Sequence, residues 1–301
     1  MSRIKNILTI NGNGELFGSD LQEKLISGEA GIPVDYKAHI QGSMLRRMSK
    51  VVKNGVALSF KLKETFEGEF SKISVATGLG CLKDTIKFED NNLANPEGLI
   101  SPTSFIQSTH NTIAGQIGLL HKNNGTNLTF VQSGMSFETA LLNSEIGIEE
   151  GESILLGSSE ATIPFFEELT NLFDNETCEL SDMATFMILS NEDSGIQVEH
   201  PKFFHFQDKQ RDLSFMNLDD KALILYGRSD IEKSNVDLDI RISINFNKYS
   251  GRYMTNNSFG IHLAHNMLEN GNRIKGSSDI DEVYVVNNFQ DKAFSLTKLS
   301  K

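Results

Sequence analysis

The chain has 301 residues, 39% of them hydrophobic and 23% charged, with a formal net charge of −12 at pH 7 and only two cysteines, Cys81 and Cys178. That balance suits a globular protein with a substantial core. It excludes a disordered chain and a disulfide scaffold, and no apolar run reaches the roughly 18 residues of a membrane span. Cysteines without disulfide or metal-ligand spacing fit a reducing, cytoplasmic setting.

In chain order, the segment from Met1 to Ile10 carries basic residues and then an apolar run. The run is cut short by Asn11-Gly-Asn-Gly14 with no small-residue cleavage site, so it reads as a first strand and not a signal peptide. Between Lys37 and Lys63 lie Lys37, Arg46, Arg47, Lys50, Lys53, Lys61 and Lys63 and no acidic residue. On an acidic protein such a stretch is either a solvated helix face or a docking patch for an acidic partner. Nucleic acid is the weaker partner, because no recognition motif accompanies the patch and the remaining charge repels phosphate.

Lys72 to Thr77 reads as a strand closing on Gly78-Leu-Gly80. Ser101-Pro102 signals a helix start, with Phe105, Ile106, Thr109, Ile113, Ile117 and Leu120 following at helical spacing. Asn127 to Gln132 is a strand, followed by Ser133-Gly134 and a helix burying Phe137, Ala140 and Leu141. Ser153–Leu156, Ala184–Leu189, Ala222–Tyr226, Ile240–Phe246 and Val283–Val286 are further strands, with a helix near Thr255 to Leu268. Short apolar strands between amphipathic helices predict a layered α/β architecture, its sheets covered on their faces.

One region is distinctive: ISPTSFIQSTHNT from Ile100 to Thr112, then LTFVQSGMSFETAL from Leu128 to Leu141, then Glu150-Gly151 and Leu156-Gly157. It resembles the N-terminal half of β-ketoacyl synthases, and more closely the short ketosynthase-like proteins, akin to chain-length factors, of aryl polyene and flexirubin-type pigment pathways. MLRRMSKVVK from Met44 to Lys53, ATGLGCL from Ala76 to Leu82 and FNKYSGRYMTNNSFG from Phe246 to Gly260 extend the likeness. The stretch from Asn171 to Lys221 matches weakly. The resemblance implies one thiolase-like domain of α-β-α-β-α layers over residues 1–301, with similar halves over about 1–170 and 180–301. It also implies a dimer in which Asn127–Gln132 pairs with a partner strand.

Decarboxylative condensation needs a thiolate at a strand-to-helix turn and two imidazoles to stabilise developing charge. By the resemblance, Met135 stands at the cysteine position, Tyr226 and Arg252 at the two histidine positions, and Asn247 at the usual lysine, with Lys248 one place off. A thioether cannot form the acyl-enzyme, so the implied role is a non-catalytic subunit. It would pair with an active ketosynthase, use no cofactor and bind no metal. Phe105, Thr109, Ile113, Met135 and Phe137 are expected to wall an acyl tunnel at the dimer, and Arg46, Arg47, Lys50 and Lys53 to face an acyl carrier protein.

The alternative is an acyltransferase or thioesterase on the same scaffold using Ser136 or Cys81, although Ser136 also reads as a helix-start hydroxyl and Cys81 as a small buried residue. A freestanding homodimeric acyl-binding protein is a third possibility. His110 reads as structural. Of the close pairs His200/His205 and His262/His265, the second, at i,i+3 on a helix, could bind metal but lacks a carboxylate or cysteine companion at ligand spacing.

Overall fold

The computed structural model describes residues 2–163, 180–205, 222–227, 243–276, 280–289 and 293–301. The first half runs β1 (Ser2–Asn11), β2 (Glu15–Phe17), α1 (Leu21–Ser27), β3 (Ile32–Pro33), α2 (Gly42–Leu45), α3 (Lys50–Glu64), β4 (Lys72–Ala76), α4 (Leu82–Ala94), α5 (Pro102–Gln107), α6 (Thr112–His121), β5 (Thr126–Phe130), α7 (Ser136–Ile146), β6 (Ser153–Glu160) and β7 (Met183–Ser190). There follow β8 (Ile196–Val198), β9 (Lys202–His205), β10 (Ala222–Tyr226), β11 (Ser243–Asn245), α8 (Asn247–Ser250), α9 (Asn257–Asn270), β12 (Glu282–Phe289) and β13 (Ala293–Ser300). Cys178, residues 240–242 of the expected Ile240–Phe246 strand, and about half of the weakly matching stretch (171–179 and 206–221) lie outside the described residues.

Two sheets share one pattern. In the first, the order β5-β4-β6-β7 has three parallel strands and an antiparallel β7. In the second, β11-β10-β12-β13 repeats that order with β13 antiparallel. β1 extends the first sheet beside β7, and the short β8 bridges β1 to β13.

The layers follow from which strand faces are apolar. Every residue of β7, Met183 to Ser190, is buried. Its alternate side chains serve two cores: Met183, Met187 and Leu189 face the space between the sheets, while Ala184, Phe186 and Ile188 pack under α3 and α6. Gly55 and Gly157 leave room for the Phe186 ring, and a Cβ at Gly157 would overlap it. Between the sheets lie α7 and α9, with Phe137, Ala140 and Leu141 packed against Phe259, Leu263 and Met267 in one cluster. The described residues thus build four of the expected five layers.

The sequence expectation fails in one place. The helix foreseen from Ser101 onward starts as expected, with Ser101 Oγ capping the Ser104 amide at 3.3 Å, but it breaks into α5 and α6. Ser108 Oγ donates to the Phe105 carbonyl at 2.8 Å, and Thr112 Oγ1 and Thr109 Oγ1 donate to that of Ile106 at 2.5 and 3.3 Å. These hydroxyls take the carbonyls that a continuing helix would use.

Candidate functional site

The parallel strands β4, β5 and β6 end on the same side as β10, β11 and β12, against the heads of α7 and α9. Carboxyl ends of parallel strands are where layered α/β folds place their sites. β5 reaches α7 through a tight turn in which Ser133 adopts φ 51°, a left-handed value uncommon outside glycine. Met135 follows at the N-cap of α7, 9% exposed. Its thioether receives a long contact from Asn287 Nδ2 at 3.7 Å, and the same amide donates to the Gly134 carbonyl at 2.7 Å. A nucleophile here would sit over a helix N-terminus, but sulfur in this turn is methylated.

One turn further, Glu138 is 1% exposed. Its Oε1 accepts from Asn287 Nδ2 and Asn257 Nδ2, each at 2.7 Å, and from Ser295 Oγ at 3.0 Å. Burial pushes its carboxyl above the ordinary range. Neither Glu138 nor its partners was foreseen as part of the site. The available signal was position, since Glu138 lies three residues before Leu141 on a face expected to be buried.

The head of α9 is held by amides. Asn256 Nδ2 donates to Asn247 Oδ1 at 2.9 Å and to the Gly227 carbonyl at 3.2 Å, and Asn245 Oδ1 accepts from the Asn247 amide at 3.0 Å. This ties Asn247 to the end of β10 beside Tyr226, which is itself buried. Arg252 is also buried, and its carbonyl accepts from the Ser181 amide at 2.9 Å. Met254 packs against Gly78 next to the Ser133 carbonyl, which joins the Arg252 segment to the Met135 turn. Glu160 ends β6 and is fully enclosed; its carboxylate accepts from the Gly78 and Leu79 amides and from Thr255 Oγ1. Burial lifts it to about 7 despite those donors. The recess beside it, lined by Leu79, Thr162, Leu180, Arg252 and Met254, holds only about 10 Å³.

The residues expected to wall a tunnel separate. Phe105 is 55% exposed, and with Thr109 it lines an open groove of about 350 Å³ completed by Ile106, Asn111 and Gln116. Ile113 is instead core beneath α3, and Phe137 is core between the sheets, so neither faces that groove. Among the basic residues, Lys50 pairs with Asp182 at 2.6 Å and Lys53 lies over the Tyr36 ring at 5.3 Å. Arg46 and Arg47 remain exposed beside α2.

The alternative nucleophiles are not prepared for attack. Ser136 Oγ is buried, donates to the Ser133 carbonyl at 2.8 Å and accepts from the Gln132 amide at 2.7 Å. Cys81 is buried and its thiol is pushed up to about 12, first by burial and then by Asp84, whereas a reactive thiol needs the reverse. His110 packs against Gly80. His262 is bonded to Thr9 at 2.8 Å and faces the Gly18 carbonyl, while His265 lies 3.6 Å from Glu269. His200 is exposed near Glu145, and the His205 side chain lies outside the described residues.

Two sheets of shared strand order enclosing two helices, with a strained turn at the head of the first, define a thiolase-like ketosynthase fold. Residues 29–213 match the β-ketoacyl synthase, N-terminal domain, and the chain belongs to that family. Solved structures share the fold at low identity. One is a chain of the AntDE:AntF complex, a type II PKS acyl-carrier protein with its ketosynthase bound to the hexaketide (TM-score 0.77, 13% identity, 99% of both chains). Another is the ishigamide ketosynthase/chain length factor (0.74, 12%, 99% of both). A third is the ketosynthase ApeO in complex with its chain length factor ApeC from Xenorhabdus doucetiae (0.58, 17%, 100% of this chain and 99% of that one). No curated protein gives a significant match. Among the described residues no helix is long and apolar enough to cross a membrane.

Proposed function

We propose that this chain is a non-catalytic, chain-length-factor-like subunit that pairs with an active β-ketoacyl synthase in the cytoplasm, in the biosynthesis of a polyene or fatty-acid-like chain carried on an acyl carrier protein. The observation that carries this reading is Met135 at the head of α7, where a condensing thiolate would gain from the helix N-terminus, buried and held by Asn287. Tyr226, Arg252 and Asn247 in place of the basic partners agree with it.

The surface supports the pairing. β5 ends the sheet order, with no strand on its outer edge among the described residues. Elsewhere on the surface α4 and α5 contain no buried residue, and Leu93, Leu99, Ile100, Phe105 and Ile106 are each more than half exposed. An open strand edge and exposed apolar side chains are both surfaces that soluble proteins cover. The groove at Phe105 and Thr109 would then become part of an enclosed acyl path, and exposed Arg46 and Arg47 would meet the acidic carrier.

The test is co-expression with an intact ketosynthase having Cys and two His, encoded beside it. A heterodimer that elongates carrier-bound acyl chains, with acyl adducts on the partner and none on this chain by intact mass, is the expected result. A covalent acyl adduct on this chain would overturn the reading.

A further inference from the structure

We propose that Glu138 is held as a neutral carboxylic acid, closing an acid–amide pair with Asn257 and clamping the head of α7 to α9 and to the second sheet. The inference starts from a donor count. Glu138 Oε1 takes three donors, from Asn257, Asn287 and Ser295, each within 3.0 Å. Its other oxygen, Oε2, is buried with no partner, and so is Oδ1 of Asn257. Both side chains are at least 98% buried. Two bare acceptors cannot satisfy each other, and a buried acceptor without a donor is a cost the fold must bear.

A single proton on Oε2 removes both deficits. It turns Oε2 into a donor, and Asn257 Oδ1 is the acceptor left over on the amide already bonded to Oε1. The result is a two-bond ring between a planar acid and a planar amide. The proton comes from solvent as the chain folds and adds one positive charge to the carboxylate, leaving it neutral. Burial acts in the same direction, raising the carboxyl.

Among the described residues no cation opposes this. The charged and titratable groups on the packed elements are engaged elsewhere: Glu160 on the Gly78 and Leu79 amides, His262 on Thr9, and His265 beside Glu269. Arg252 and Tyr253 precede α9, and the Arg252 backbone bonds to Ser181. Lys72, Glu145, Glu282 and Lys298 sit toward the far ends of β4, α7, β12 and β13. β5 has no charged residue. Since Asn287 also holds the Gly134 carbonyl and touches Met135, the acid fixes the turn at the head of α7. The assignment stands whether or not the chain pairs with a ketosynthase.

The experiment uses the full chain and Glu138→Gln, whose amide supplies the acceptor and the donor that the neutral acid would. In 13C-glutamate infrared difference spectra at pH 7.5, wild type should show a protonated carboxyl C=O band that the variant lacks. In urea titrations the folding constant of E138Q relative to wild type should rise with pH, up to tenfold per unit, above the ordinary carboxylate range. This sign follows because an acid raised in the native state loses stability as pH climbs toward its folded value. An ionised Glu138 at pH 7.5, with a buried water serving its Oε2 and Asn257 Oδ1, would overturn the proposal. So would a pH-independent ratio.

Discussion

Met135 caps the head of α7 and Glu138 lies in its first turn, and the chemistry of the site turns on these two side chains. On the proposed reading, a methionine at 135 offers no titratable sulfur for the covalent step, and Tyr226 and Arg252 offer no neutral imidazole for the developing charge. Met135→Cys should therefore restore no condensation, assayed by mass spectrometry of carrier-bound products. Gain of activity would show that other groups at the strand ends serve as the basic partners. The same variant trims a side chain that is 9% exposed, and it should cost about 1–2 kcal/mol in urea unfolding.

At the level of elements, β5 is the most exposed consequence of the sheet order. The Thr77 amide donates to the Phe130 carbonyl at 3.0 Å, so Phe130 and Leu128 direct their backbone groups toward β4. By strand alternation Thr129 directs its amide to the open edge. Thr129→Pro removes a donor the isolated chain does not use, and should weaken association at least tenfold in analytical ultracentrifugation with little change in helical circular dichroism. A monodisperse monomer of the wild-type chain at micromolar concentration would refute the pairing edge. Gly157 makes the opposite kind of prediction. A methyl there would overlap the Phe186 ring, so Gly157→Ala should destabilise the fold by about 1–3 kcal/mol, read from the urea midpoint.

The whole molecule carries a polar middle layer, and its pH response follows from that. His262 is held down to about 3 by burial and then His265, and His265 to about 4 by burial. The unfolded chain takes up these protons below about pH 6.5 while the native fold refuses them, so the histidines withdraw stability as pH falls from 6.5 toward 4. Glu160, lifted to about 7, acts the other way, because the native carboxyl protonates before the unfolded one. His265→Leu should remove one proton from the acid limb, flattening the stability profile between pH 4.5 and 6 by up to about 1.4 kcal/mol per pH unit in urea titrations. An unchanged slope would show that His265 is charged in the native protein.

The strands were legible because apolar runs between turn signals survive any context. Ala222–Tyr226 is found at its expected bounds, and Ser153–Leu156 and Val283–Val286 fall within longer strands. The family was legible too, because the segments around Ile100 and Leu128 are distinctive. Sequence spacing could not show that α9 is buried all round. Its asparagines and histidines give it the look of a half-exposed helix, and only the sheets and helix packed around it turn Asn256, Asn257 and His262 into buried partners. Nor could it separate Ile113 and Phe137 from Phe105, since helical periodicity marks a face without saying which core it meets. Tertiary structure decided those matters because donors to Glu138 arrive from 119 to 157 residues away in the chain, and no local pattern encodes a contact of that range.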